Sequence, residues 1–396
     1  RQETLGFLRQ PLNDLCISRP KQRMSWGIEL PFDDEFVTYV WFDALVNYIS
    51  TIGYRSDDET FKTWWPASYH LIGKDILTTH TVYWPTMLRA MGLPMPKTIF
   101  AHGWWLVGRD KMSKSLGNVV NPMDMIERYG VDAFRYFLLS EMTLGQDASF
   151  TEEAFVRRYN ADLANDLGNL ASRVLKMALR HLDGGVPEAP EPGPDEDELV
   201  KACLDGVTDM AEHLGGMQLD KGLAKVMDAV RAANRYFEKM RPWAMARKGN
   251  MAELARVLYN TAESLRIVSG LLFPVMPGKM TRLRQALGLP QEHLQPHYGE
   301  LDHWGGLQPG WRFADLTSLF PRAETHKEEK RPPEKKAKEA GAGKTDGKAS
   351  GEGLLDIGEF ARVKMRTARV LSAETVPEAD RLLKVNVEIG RETRQI

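Results

Sequence analysis

The sequence predicts an α/β layer, then an all-helical block, then, across a charged linker, a small β module. Three observations carry this. Over residues 1–148 short β-like runs alternate with helical patterns, the mark of helices packed on a sheet. From about residue 150 to 275 apolar residues recur at spacings of three and four, as on the buried stripe of bundle helices. Residues 326–353 contain no Val, Ile, Leu, Met, Phe, Tyr or Trp. Such a segment buries too little surface to offset its ordering entropy.

The elements follow in order. Phe36–Trp41 (FVTYVW) reads as a strand ending at Trp41. Ala44, Leu45 and Tyr48 follow at +3, +4 and +7, so with Trp41 they share one helical face. Tyr69–Ile72 and Thr98–Phe100 are shorter strands, and IFAHGWWLV (99–107) is strand-like. Asp75 closes the YHLIGKD run at a helix start, where aspartate also serves as an N-cap. His80 and Trp84 lie four apart on the helix that follows. Thr151, ahead of Glu152 and Glu153, caps the first long helix. The Pro/Gly-rich acidic stretch 184–198 is a loop between bundle helices. The domains are therefore expected at 1–148, 149–322, 323–353 (flexible linker) and 354–396, where β-like alternation returns.

Composition narrows the class. With 396 residues and 43% hydrophobic content, the chain has the size of two or three domains and the apolar fraction for a large core. No apolar run approaches the roughly 20 residues of a membrane span, and no basic-then-apolar leader opens the chain. Cys16 and Cys203 are far apart without a CxxC partner. They exclude a disulfide scaffold and a cysteine-rich zinc site in this chain and suit a reducing cytoplasm. A net charge of −2 argues against a general nucleic-acid coat. Residues 1–325 carry −5, the linker +2 and the tail from Leu354 +1. The chain opens at Arg1 and closes inside a strand-like run, so it reads as a piece of a longer protein.

The sharpest segment is Lys111-Met112-Ser113-Lys114-Ser115, within GRDKMSKSLGN. Two ammonium groups among small hydroxyl residues and glycines suit a polyphosphate, since they meet the charge that develops on a departing pyrophosphate. Standing alone, such a match is more often a solvated surface loop.

Its context removes that reading. KMSKS, with YVWFDALVNYIS, YHLIGKDILTTHTVYWPTMLRA, FAHGWWLVGRD, YNADLANDLGNLASR and the RPWAMA stretch, resembles the methionyl type of class I aminoacyl-tRNA synthetase over residues 1–325. The resemblance implies the C-terminal half of a Rossmann-like catalytic domain, an all-α anticodon-binding bundle and the truncated start of an oligonucleotide-binding (OB-fold) barrel. A five-stranded barrel needs more than the tail provides. The implied reaction is ATP-dependent activation of methionine to methionyl-adenylate, then transfer to tRNA(Met), with Mg²⁺ accompanying ATP. The implied partners are methionine, ATP, tRNA(Met) and a second copy joined through the complete C-terminal domain, without a membrane.

The same resemblance distributes the site. Trp41, Ala44, Tyr48, His80 and Trp84 are expected around the methionine side chain, where aromatic faces and polar tips suit a thioether and discriminate against leucine. Asp75 is expected on a substrate amino or ribose group, and Arg19 near the reacting groups. Lys111, Met112, Ser113, Lys114 and Ser115 are expected on ATP, with Lys111, Lys114, Ser113 and Ser115 the catalytic set. Asn165, Asn169 and Arg173, spaced by four on one helix face, and Trp243 are expected to read the CAU anticodon through base edges and stacking. The bland alternatives are inter-helix hydrogen bonds for the asparagines and core packing for Trp243.

The family's His-Ile-Gly-His segment is not found, and its zinc-bearing insertion is missing. Both are expected upstream of Arg1, so no metal site is expected here and the chain alone should not activate methionine. Many members also carry proline where this chain has Leu45. Another class I synthetase and a non-catalytic tRNA-binding module are the alternatives. A nucleotidyltransferase sharing only the half-sheet leaves the helical block unexplained.

Overall fold

The computed structural model describes residues 1–108, 110–112, 119–191, 193–324, 368–375, 383–389 and 392–395. The chain divides into two compact units, Arg1–Lys327 and Glu328–Ile396. The predicted linker lies almost wholly outside the described residues.

The first unit opens with α1 (Gln2–Leu8) and a small antiparallel sheet of β1 (Ser18–Pro20), β2 (Glu29–Leu30) and β3 (Asp33–Thr38), in the order β1-β3-β2. Here the expected strand is corrected. Pairing stops at Ser18↔Thr38, and α2 (Val40–Ser50) has already begun at Trp41. The β-propensity of the Tyr39-Val40-Trp41 run yields to helical burial of Leu45 and Ile49, since strand preference depends on a neighbour to pair with.

Next come α3 (Asp58–Trp64), β4 (Tyr69–Gly73), α4 (Trp84–Ala90) and β5 (Thr98–His102). β4 and β5 pair in parallel, Tyr69↔Thr98 through Gly73↔His102. Leu45, Ile49, Trp65, Trp84 and Leu88 form the core beside them. Between β4 and α4 run a 3₁₀ turn, Lys74–Ile76, and a π-helical turn, Thr79–Tyr83. The wide turn has a cause in Pro85, which lacks an N–H and whose ring conflicts with α-helical pairing one turn back.

The predicted 99–107 strand is two strands. β6 (Trp105–Val107) is separated from β5 by Gly103 and Trp104, and it pairs antiparallel with β7 (Asp110–Lys111) and parallel with β8 (Ala148–Ser149). The Gln146 backbone packs so closely on Gly103 that a Cβ would collide with its carbonyl. Between β7 and β8 lie α5 (Pro122–Tyr129), capped by Asn121, and α6 (Val131–Glu141).

The helical block comprises α7 (Glu152–Arg158), a ten-residue π-helical segment (Tyr159–Gly168), α8 (Asn169–His181), α9 (Asp197–Gly215), α10 (Leu219–Met240), α11 (Pro242–Lys248), α12 (Met251–Leu272) and α13 (Pro277–Ala286). Thr151 caps α7 by accepting from the Ala154 N–H. α12 is the axis of the block, buried continuously from Val257 to Leu272. Its buried ion pair is satisfied within the fold. Glu263 pairs with Arg266 at 2.7 Å and accepts the backbone N–H groups of Gly305, Gly306 and Leu307. A buried charge is tolerable only when paired and hydrogen-bonded in this way.

The second unit presents β9 (Arg369–Thr375), β10 (Leu383–Ile389) and β11 (Glu392–Gln395) as an antiparallel sheet with β10 in the middle. The β-like tail is thus a small antiparallel sheet among the described residues.

Candidate functional site

Aromatic and imidazole rings converge beside β4. Tyr48 comes from α2, His80 from the π-turn, Trp84 from the start of α4 and His70 from β4 itself. The Tyr48 hydroxyl lies 2.9 Å from His80 Nε2, and His80 Nδ1 lies 3.0 Å from the Ile76 carbonyl oxygen. A carbonyl only accepts, so His80 carries a proton on Nδ1, and its Nε2 faces the Tyr48 hydroxyl. Burial pushes the Tyr48 phenol up from its ordinary value. Trp41 meets His80 edge-on at 6.4 Å between centroids, and Tyr48 lies 6.0 Å from Trp84.

Exposure separates these residues. Trp84 and His80 are buried, at 0% and 2% exposure, whereas Trp41 and Tyr48 are half-buried and Ala44 is exposed. Trp84 therefore backs the cluster, and Tyr48 and Trp41 present its open side. Trp41 and Leu45 also line an apolar cavity of about 210 Å³ with Tyr39, Phe42, Tyr83 and Met87.

Asp75 sits in the 3₁₀ turn. Gly73, not Asp75, holds the cap position, and no side chain caps that turn; the N-cap reading of Asp75 is corrected accordingly. The Asp75 carboxylate folds back over Gly73, where a Cβ would stand 2.5 Å from its Oδ1. It is exposed and takes no hydrogen bond or ion pair among the described residues. Arg19 is held apart from the ring cluster. Its guanidinium lies 4.0 Å from the centre of the Tyr39 ring and donates to the Ser18 carbonyl at 2.7 Å.

Of the Lys/Ser segment, Lys111 ends β7 and Met112 packs partly buried against the helical core. Ser113, Lys114 and Ser115 lie outside the described residues.

On the helical block, Asn165 falls inside the π-helical segment and Asn169 opens α8, which corrects the single regular helix expected there. Both side chains are exposed, and neither makes a hydrogen bond among the described residues. Arg173 pairs with Glu238 at 2.6 Å and lies 4.9 Å from the Phe237 ring and 5.5 Å from the Trp243 ring. Trp243 is half-buried and follows Arg241, a non-glycine residue in the left-handed region at φ 49°. Arg173 and Trp243 are thus in contact, while the asparagines stand free on the preceding turns.

His70 and Lys74 escaped the sequence reading. Alternation along β4 turns His70 and Ile72 inward, a period-two signal that places an imidazole in the core beside Tyr48. Among the described residues no group of three His, Cys, Asp or Glu is placed to hold a metal. The two thiols do not fit a zinc site, one being exposed and the other buried. No helix is long and apolar enough to cross a membrane among the described residues.

A parallel-strand half-site joined to a helical block is the plan of a class I tRNA synthetase, and family comparison agrees. Residues 1–175 match the family described as tRNA synthetases class I (M), and residues 186–336 match the anticodon binding domain of methionyl tRNA ligase. The chain is 40% identical over its whole length to the methionine–tRNA ligase of Caldanaerobacter subterraneus subsp. tengcongensis, covering 61% of that protein. It is 37% identical to that of Thermotoga maritima, covering 60%. A solved Mycobacterium tuberculosis methionyl-tRNA synthetase in complex with methionyl-adenylate superposes with a TM-score of 0.76 at 38% identity, over 81% of this chain and 63% of that one. The chain belongs to the methionyl-tRNA synthetase family. It spans about three fifths of the length of the curated relatives it matches.

Proposed function

We propose that this chain supplies the methionine pocket, the pyrophosphate-handling loop and the anticodon reader of a methionine–tRNA ligase. The reaction joins methionine to ATP as methionyl-adenylate with release of pyrophosphate, then transfers the methionyl group to tRNA(Met). The observation that carries this reading is the Tyr48–His80 hydrogen bond inside a ring cluster beside β4. A polar pair set among aromatic faces suits a polarizable thioether and penalises a purely aliphatic competitor, which leaves the pair without its partner.

In this reading Trp41, Ala44, Tyr48 and His80 surround the methionine side chain, with Trp84 behind them. Asp75 holds a substrate amino or ribose group, and Arg19 contributes positive charge. Lys111 and Lys114, with Ser113, Ser115 and the Met112 backbone, meet the phosphates of Mg²⁺-bound ATP. Lysines at a departing pyrophosphate work by positioning and charge stabilisation. Asn165, Asn169, Arg173 and Trp243 read the anticodon. The catalytic part is the C-terminal half of a Rossmann-like domain, the tail sheet is the beginning of an OB-fold barrel that pairs two copies when complete, and the enzyme works in the cytoplasm.

The test is Lys114→Ala in the full-length protein. Methionine-dependent ATP–pyrophosphate exchange should slow by about two orders of magnitude, with the KM for methionine little changed. Equal exchange rates in variant and parent overturn the loop's role.

A further inference from the structure

Three distant segments meet at one carboxylate that no part of the proposed mechanism uses. Asp147, at the entrance to β8, accepts the Lys74 ammonium on both oxygens, at 2.6 and 2.8 Å, and the Trp104 backbone N–H at 2.8 Å. Lys74 follows β4 directly, and Trp104 lies just beyond β5. The ammonium also sits 4.1 Å from the centre of the Trp104 ring. The Asp147 carboxyl is held below its usual range, first by the Lys74 hydrogen bond and then by the Trp104 N–H. The close approach of Gln146 to Gly103 fixes the loop that delivers Asp147.

Lys74 is the immediate neighbour of Asp75, whose exposed carboxylate is unpaired among the described residues. A lysine ammonium is a compact charge on a flexible four-carbon stem. We infer that Asp147 is a positioning residue: by holding Lys74 against Trp104 it keeps that ammonium off Asp75, leaving the Asp75 carboxylate open to a substrate amino or hydroxyl group. This rests on the proposed function for what Asp75 binds, but the placement of the charge stands apart from it. β8 leads directly into α7, so the same carboxylate links the pocket to the entrance of the helical block.

The test uses the full-length protein with Asp147→Asn, Asp147→Glu, Lys74→Gln and the Asp147→Asn/Lys74→Gln pair. In methionine-dependent ATP–pyrophosphate exchange, Asp147→Asn should raise the KM of the substrate held by Asp75 about tenfold, with kcat changed by less than about twofold. Asp147→Glu should retain the parent KM, and removing the ammonium in the double variant should bring KM back toward the parent. A parent-like KM in Asp147→Asn, or losses in the double variant that simply add, overturn the inference. A crystal structure of Asp147→Asn separates this from the functional reading. Lys74 Nζ on an Asp75 oxygen supports the inference even if the parent fails to activate methionine, and Lys74 still over Trp104 overturns it.

Discussion

Trp84 donates its indole N–H to Nε2 of His70 across 3.2 Å, with both side chains buried. An indole only donates, so His70 accepts at Nε2 and carries its proton on Nδ1. His70 thereby holds Trp84 in place behind Tyr48, whose ring lies 4.3 Å from the imidazole.

A pH dependence follows. Burial, and secondarily the charge of His80, lower the His70 pKa in the folded chain. As pH falls below the ordinary imidazole value of about 6.5, the unfolded chain takes up this proton before the folded chain does. Stability is therefore undiminished above that value and declines beneath it. Urea midpoints measured between pH 7.5 and 5 should fall, and fall less in His70→Asn. An equal decline in both would show that His70 does not contribute.

Gly73→Ala should displace the Asp75 carboxylate. The new methyl would occupy the space now taken by Oδ1. Unfolding should shift little, while methionine-dependent exchange in the full-length protein should drop by about tenfold or more, because misplacing one positioning group costs on that scale. An unimpaired exchange rate would show that the orientation of Asp75 is irrelevant to activation.

Trp243→Ala and Asn169→Ala should impair tRNA charging while sparing adenylate formation. Stacking of a base on an aromatic ring is worth about 1–3 kcal/mol, so charging efficiency in Trp243→Ala should fall by roughly tenfold to a hundredfold. Arg173 lies against the same ring and should behave alike. Equal loss of both steps would assign Trp243 to packing.

Glu263→Gln should cost about 3–5 kcal/mol, since it leaves Arg266 charged, buried and without its counterion. Chemical denaturation of the full-length protein measures this. A change below about 1 kcal/mol would indicate that water enters beside Arg266.

The order of layer, helical block and β tail was legible because periodicity reports burial, and burial shapes each of these elements. Thr151 could be named as a cap because its hydroxyl acts on a backbone N–H three residues away, a purely local event. Tyr48 and His80 could be paired only through family resemblance, since 32 residues separate them and neither helix pattern encodes the other. The end of the strand at Thr38 escaped because β-branched and aromatic residues continue to Trp41 while the pairing partner runs out. His70 escaped because a histidine in a short strand carries no sign of the indole it will face. Asp147 escaped for the same reason, its partners Lys74 and Trp104 lying 73 and 43 residues upstream.

The wide turn from Tyr159 to Gly168 has a bearing on which lengths of chain this family tolerates. It is anchored by Asp162, which accepts the Tyr136 hydroxyl at 2.9 Å and faces Arg158 and Arg231. At its end, Gly168 sits where a Cβ would press on the Leu163 carbonyl at 2.9 Å. A π turn accommodates an extra residue within an otherwise α-helical course. Deleting one residue there would let the segment relax to regular pitch with α8 left close to its present face, whereas deleting one from the regular turns of α8 itself would swing the residues beyond the deletion by about 100°. The stretch from residue 159 to 168 is therefore the place where this course of chain best absorbs the loss of a single residue, and α8 is the place where it does not.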